Sequence, residues 1–291
     1  MRGLTSFVAL TFGVSWAVAA LVWSLGWSTE QKPIITRLLT TSLLYALTMG
    51  WQPLLATWFV RRYVDPRDHL DLALRPAAAG FRLLGAAGSI VLAGSAMALA
   101  WLAQTHGSLH GSAEPELSAQ SASLGGALAL AAAFFATLLV VWLQAFAEEV
   151  GWRGYFLPRL MERFGRWGGL VAHGIVWGVW YAPVVAVWGS AARGGGFVIT
   201  CMLLGVLFAW LRLASSSVVP VVIANTTLTL AAGLPYVLHD IDAGLRGAVF
   251  GPPGWVLMAI TIAVLLQSRF RGVIRVPPRL APESLRGETL H

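Results

Sequence analysis

Two glutamates, Glu148 and Glu149, stand side by side after a run from Leu124 to Phe146 that holds no charged residue. An ionised carboxylate beside a hydrocarbon-length apolar segment is expensive to place, so each needs a partner or a chemical task. Glu149 and Arg153 are four residues apart and share one face of a continuing helix, which gives Glu149 a local cation. Glu148 lies on a different face and has no such neighbour. A carboxylate without a counter-ion is suited to taking a proton, so Glu148 is the candidate general base, tuned by partial burial beside a second acid. The plainer reading of the trio is a juxtamembrane ion pair that snorkels to the interface.

Two further places hold polar groups inside apolar sequence. In Gly168–Pro183, His173 is a histidine within a span, and by itself it reads as an inter-helix hydrogen-bonder rather than a ligand. Tyr181 precedes Ala182-Pro183, where a helix should bend or end, leaving its hydroxyl near irregular backbone. After Ser217-Val218-Val219-Pro220, Asn225 and Thr229 are four apart and share a face, with Thr226 and Thr227 nearby. Interhelical hydrogen bonding is the ordinary use of such residues.

The elements that must position these groups are membrane helices. The chain has 291 residues, of which 57% are hydrophobic and 11% charged, with 14 tryptophans. Its mean hydropathy is +0.71. That composition excludes an ordinary soluble domain and fits an all-α, polytopic membrane bundle. Apolar stretches of crossing length number about eight. They run Ser6–Trp27, Leu38–Phe59, Leu83–Ala103, Leu124–Phe146, Gly168–Trp188, Phe197–Leu211, Val218–Val237 and Ala248–Gln267. The sixth and seventh are short or polar-interrupted, so seven spans stays open. Ala17-Val18-Ala19-Ala20 resembles a signal-peptide cleavage region, but the apolar run continues through Trp23, which reads as an uncleaved first helix.

With eight spans and the N-terminus inside, sixteen basic residues face the cytoplasm and four (Lys32, Arg37, Arg193 and Arg246) face away. The positive-inside rule then places both termini in the cytoplasm of a multi-pass cell-membrane protein. That bias and anionic lipid headgroups account for the net charge of +7, and nucleic acid is not needed as a partner. Residues 1–268 read as one transmembrane domain, and residues 269–291 as a basic, proline-containing cytoplasmic tail, disordered at its end. The loop Thr105–Ser123 reads as external, and Arg61–Arg82 as cytosolic. Val150–Trp167 alternates Arg153, Arg159, Arg163 and Arg166 with aromatic and apolar residues, as an amphipathic surface helix interrupted near Pro158 would. Cys201, the single cysteine, reads as a buried, inert thiol.

Taken together, the order and spacing of the three polar places resemble the CPBP family of membrane-embedded proteases, which includes type II CAAX prenyl endopeptidases and bacteriocin-processing or immunity (Abi) proteins. Glu148-Glu149-Val150-Gly151-Trp152-Arg153 matches every fixed position of the family's Glu-Glu-x-x-x-Arg motif, and Gly154-Tyr155-Phe156-Leu157-Pro158 continues it. Trp177-Gly178-Val179-Trp180-Tyr181-Ala182-Pro183 resembles the second motif, with Tyr181 where the family has histidine. Ser217-Val218-Val219-Pro220 is similar to the lead-in of the third, but Asn225 and Thr229 replace the family's histidine and Asn or Asp. Gln52-Pro53-Leu54-Leu55-Ala56 resembles the family's second span.

The resemblance implies an intramembrane endopeptidase in which Glu148 activates water, Glu149 and Arg153 organise it, and Tyr181, Asn225 and Thr229 occupy the remaining site positions. The substrate it implies is a peptide segment at or in the bilayer. In the family, the histidines and the Asn or Asp bind metal or stabilise the oxyanion. Here the motifs offer carboxylates, a phenol, an amide and a hydroxyl, whereas tight zinc sites want imidazole or thiolate, so the family-type divalent metal is in doubt and no cofactor is assigned. His173 lies eight residues before Tyr181, about 12 Å along a straight helix and roughly 80° round it, too far for a simple swap. Two readings stay open: metal-free hydrolysis with Tyr181 and Asn225 as oxyanion donors, or a catalytically impaired accessory or immunity-type protein. A transporter subunit using Glu148 as an ion site is a third class. It predicts inverted repeats with broken helices in equivalent places, which the sequence does not display.

Overall fold

The computed structural model describes residues 2–26, 34–68, 70–103, 123–183, 191–237 and 248–267. All regular structure among them is helical: α1 (Arg2–Ser24), α2 (Ile34–Tyr45), α3 (Gln52–Phe59), α4 (Ala79–Ala103), α5 (Leu124–Glu149), α6 (Leu157–Trp180), α7 (Ala191–Ser215), α8 (Val219–Val237) and α9 (Pro252–Gln267). Wider π-helical turns follow α2 (Ala46–Gly50) and α3 (Val60–Val64) and join α5 to α6 (Val150–Phe156). The tail from residue 269 and the expected external loop from 105 to 122 lie outside the described residues.

The protein is a polytopic helical membrane bundle. Among the described residues, four stretches are long and apolar enough to cross a bilayer: Arg2–Ser24, Ala79–Leu102, Leu124–Trp180 and Gly195–Ser215. The third contains two of the expected spans, and the seventh and eighth expected spans correspond to the shorter apolar helices Val219–Gly233 and Pro252–Gln267. The second expected span is not one helix. It breaks at Trp51, before Pro53, whose ring nitrogen carries no hydrogen to continue the ladder. Gln52 Nε2 donates to the Leu47 carbonyl at 2.7 Å, satisfying an acceptor at the break.

Residue size sorts in the direction expected of a bundle in lipid. Along α5 the buried positions include Ala133, Thr137, Val141, Gln144 and Ala145, while Leu128, Phe134, Phe135, Leu139 and Trp142 face outward. On α4, Ala93, Ala96 and Ala100 are buried, and α4 packs along α8. Lipid tails are as apolar as leucine, so helix association depends on close contact between small residues rather than on removing large ones from water. Gly174 and Gly178 serve the same end, because a Cβ at either would lie 2.6 Å or 2.8 Å from backbone of Met202 or Val198 on α7.

Arithmetic along the chain shows how α6 returns to the end of α5. From Glu148 to Gly165 a helix rises about 25 Å, and from Gly165 to Tyr181 about 24 Å. Side chains at 148 and 181 can therefore meet only if the direction reverses midway. Gly165 supplies the reversal: it has φ 69° and ψ 176°, which interrupts the helical path where a side chain would be strained.

The break at Gly165 corrects the expected interruption at Pro158, which instead sits in the first turn of α6, where a missing N–H costs nothing. The expected surface helix is also corrected. Val150 to Met161 is entirely buried, and only residues from Glu162 onward reach the exterior. Its inward arginines are tolerated because each has partners. Arg153 takes Glu149, while Arg159 takes Asp68 and lies 3.7 Å from the centre of the Tyr155 ring. The Asp68 contact, with the Val218 N–H donating to the Ala73 carbonyl at 3.0 Å, ties the chain after α3 both to α6 and to the start of α8.

Candidate active site

Glu148 and Glu149 end α5 where the backbone widens into the π-helical turn Val150–Phe156, a feature that often marks functional sites. Gly151 lets this turn press on α3. A Cβ there would stand 2.3 Å from the Pro53 Cβ and 2.7 Å from its carbonyl carbon. Both glutamates and Arg153 are removed from the exterior, at 1%, 0% and 0% exposure.

The two carboxylates receive different partners. Arg153 Nη1 donates to Glu149 Oε1 at 2.9 Å, and the guanidinium lies over Trp177 at 3.8 Å and toward Phe208 at 5.1 Å. Asn225 Nδ2 donates to the same Glu149 oxygen at 2.8 Å, and Thr229 Oγ1 donates to Asn225 Oδ1 at 3.2 Å. The expected pairing of Glu149 with Arg153 is thus found, and it survives the change from α- to π-helical winding. Among the described residues, Glu148 accepts only from neutral groups. Gln144 Nε2 donates to Oε1 at 3.1 Å, and the Tyr181 hydroxyl reaches Oε1 at 3.1 Å and Oε2 at 3.0 Å.

All six expected site residues therefore fall into two hydrogen-bonded sets built on the adjacent Glu148 and Glu149. Tyr181 joins Glu148, while Arg153, Asn225 and Thr229 join Glu149, the whole carried by α5, the π-helical turn, the end of α6 and α8. The arrangement differs from expectation in one respect: Asn225 addresses Glu149, and it is Tyr181 that addresses Glu148. Two members were missed. Gln144 is four residues before Glu148 on α5, a spacing that could have revealed it. Tyr45, at the end of α2, donates its hydroxyl to the Tyr181 hydroxyl at 2.7 Å, with ring centroids 6.2 Å apart and planes 14° from parallel. No sequence spacing connects positions 45 and 181.

His173 takes no part in either set. It is fully buried against Trp152, Phe156 and Trp177, at centroid distances of 6.0, 6.2 and 6.1 Å, and neither ring nitrogen has a hydrogen-bond partner among the described residues. The expected role as an inter-helix hydrogen-bonder is replaced by aromatic packing. Cys201 is buried as expected. Ser217 accepts from the Val219 N–H at 3.1 Å and starts α8, so the Ser-x-x-Pro segment orients the helix that carries Asn225.

No group of three or more His, Cys, Asp or Glu side chains able to hold a metal occurs among the described residues. The donors around Glu148 are an amide and phenols, and one oxygen of Glu149 is already held by a cation and an amide. This set does not fit a tight zinc site.

The model of the family described as type II CAAX prenyl endopeptidase Rce1-like matches residues 129–231, the segment from mid-α5 into α8 that contains every expected site residue. CAAX prenyl protease 2 from Methanococcus maripaludis is 24% identical over 135 residues, an alignment covering 43% of this chain and 50% of that protein. The chain thus spans about half the length of the curated relative it matches. The Glu-Glu-x-x-x-Arg motif, buried where three helices converge, lies within the stretch over which the chain is similar to the Rce1-like type II CAAX prenyl endopeptidases.

Proposed function

We propose that the protein is an intramembrane endopeptidase that hydrolyses a peptide bond of a membrane-associated segment with water activated by Glu148. The observation that carries this reading is the asymmetry of the two carboxylates. Glu149 is neutralised by Arg153, whereas Glu148 is held in place by Gln144 and Tyr181, which orient it without supplying a positive charge. A base so held keeps the capacity to take a proton.

In the reaction, Glu148 takes a proton from water as the water oxygen bonds to the substrate carbonyl carbon. The carbonyl π pair moves onto its oxygen, and the Tyr181 O–H turns to donate to that developing oxyanion. An amide has two N–H donors, and Asn225 uses one on Glu149, so its second N–H is the other oxyanion donor. Collapse of the tetrahedral species breaks the C–N bond while Glu148 returns its proton to the leaving amine. Arg153 and Glu149 keep the α5 terminus and α8 in register. The sixteen-to-four distribution of basic residues supports placing both termini in the cytoplasm of the cell membrane.

A second reading, a catalytically impaired accessory member of the family, is favoured by one observation: a phenol and an amide stand at both positions where the family has histidine. The two readings separate in one experiment. Purified protein in liposomes is given a panel of membrane-associated peptides, and products are compared with those of Glu148→Gln. The endopeptidase reading predicts cleavage by the wild type that falls by roughly two orders of magnitude in the variant. A folded wild type that cleaves no peptide in the panel supports the accessory reading instead.

A further inference from the structure

We infer that Tyr45 is a positioning residue of this site, acting through Tyr181 to keep the Tyr181 proton directed at Glu148. The inference rests on the endopeptidase reading for its consequence in catalysis, but its physical content is a hydrogen-bond direction that does not depend on turnover.

Donor counting sets that direction. In the ionised form that the proposed base requires, Glu148 only accepts, and a phenol has one O–H. Tyr181 lies 3.0 and 3.1 Å from the two Glu148 oxygens, so its single proton is given to Glu148. The 2.7 Å contact between the two phenols therefore has Tyr45 as donor and Tyr181 as acceptor. The result is a one-way sequence, Tyr45 to Tyr181 to Glu148, drawn from α2, the end of α6 and α5. With the Tyr181 oxygen already accepting, its own O–H cannot turn toward Tyr45. Donation into that oxygen also polarises the outgoing O–H and makes it the stronger donor.

The placement serves the proposed chemistry. Tyr181 stands where the family has histidine, and a phenol alone can rotate its proton away from the site. A second phenol removes that freedom while leaving the proton able to pass from Glu148 to a substrate oxyanion on the same side. The ring contact holds Tyr45 there independently of its hydroxyl, with planes 14° from parallel, so Tyr45→Phe deletes the hydrogen bond and keeps the packing.

Tyr45→Phe, Tyr181→Phe and the double variant, each purified into liposomes, test the inference by kinetics and by infrared difference spectroscopy. The Glu148 carboxyl band is assigned by subtracting the Glu148→Gln spectrum. Tyr45→Phe is expected to lower kcat by up to about tenfold, the scale of one neutral hydrogen bond, with KM unchanged. The double variant should be no slower than Tyr181→Phe, because the inferred action of Tyr45 runs through Tyr181 rather than through the neighbouring Gln144. The Glu148 band should shift in Tyr45→Phe but show no additional shift when that change is made in the Tyr181→Phe background. Losses in kcat that multiply, or a Glu148 band indifferent to Tyr45→Phe, overturn the inference. A wild type without peptidase activity would refute the proposed function alone, since the infrared comparison still decides whether Tyr45 directs the Tyr181 proton.

Discussion

Replacing Arg153 by methionine separates the structural half of the carboxylate pair from the chemical half. Arg153 and Glu149 are fully buried and 2.9 Å apart. Removing the cation leaves Glu149 with the Asn225 amide at 2.8 Å as its hydrogen-bond donor and no positive charge. Breaking a buried pair from one side costs about 3–5 kcal/mol, because the surviving charge stays out of water. Glu149→Gln strands the other partner. There the guanidinium keeps the face of Trp177 at 3.8 Å, a desolvated contact that contributes about 2 kcal/mol, so the loss falls near the lower end, about 3 kcal/mol. The double variant Glu149→Gln, Arg153→Met strands no charge. Its destabilisation should therefore be smaller than the sum of the single losses by about 2 kcal/mol or more. Reversible unfolding in mixed detergent micelles, followed by circular dichroism, measures all three. Single losses that add to within about 0.5 kcal/mol would refute the claim that the two groups neutralise each other.

Other expectations follow from the same geometry. Gly151→Ala should destabilise by about 1–3 kcal/mol or more in the same titration, since its new methyl group meets Pro53 backbone and ring, which cannot swing aside. Tyr181→Phe should lower kcat in the liposome assay by less than Glu148→Gln does, because a donor is lost and the base remains. Peptidase activity should survive a strong chelator, given the oxygen-rich donor set around Glu148. Tyr181→His combined with Asn225→His should bind zinc in equilibrium dialysis, and chelator-sensitive cleavage by that variant would show a protease scaffold whose site has drifted.

Legibility in the sequence followed the range over which each interaction acts. The Glu149–Arg153 pair was readable because both residues lie within one helical turn, and it tolerated the unforeseen π-helical winding. Tyr181 and Asn225 were readable through motif context, although spacing could not say which glutamate each would meet. Tyr45 was not readable at all. A tyrosine within an apolar stretch has no pattern tying it to a residue 136 positions away, and only the packing of α2 against α5 and the end of α6 brings it in. The alternating arginines and aromatics of Val150–Trp167 misled for a related reason. Amphipathicity reports that a helix has two kinds of face, but here Arg153 and Arg159 meet Glu149 and Asp68 inside the protein, and only the later arginines, Arg163 and Arg166, reach the exterior.

The central claim, that Glu148 and not Glu149 is the base, is tested most directly by single-turnover cleavage in liposomes. Wild type, Glu148→Gln and Glu149→Gln are compared side by side, with peptide binding measured separately. The account predicts that Glu148→Gln binds peptide as the wild type does and is folded equally well, while its chemical step slows by roughly two orders of magnitude. Glu149→Gln should lose stability first, with the properly folded fraction still cleaving. A Glu148→Gln protein that cleaves at the wild-type rate, or a fully stable Glu149→Gln protein that has lost the chemical step, would contradict it.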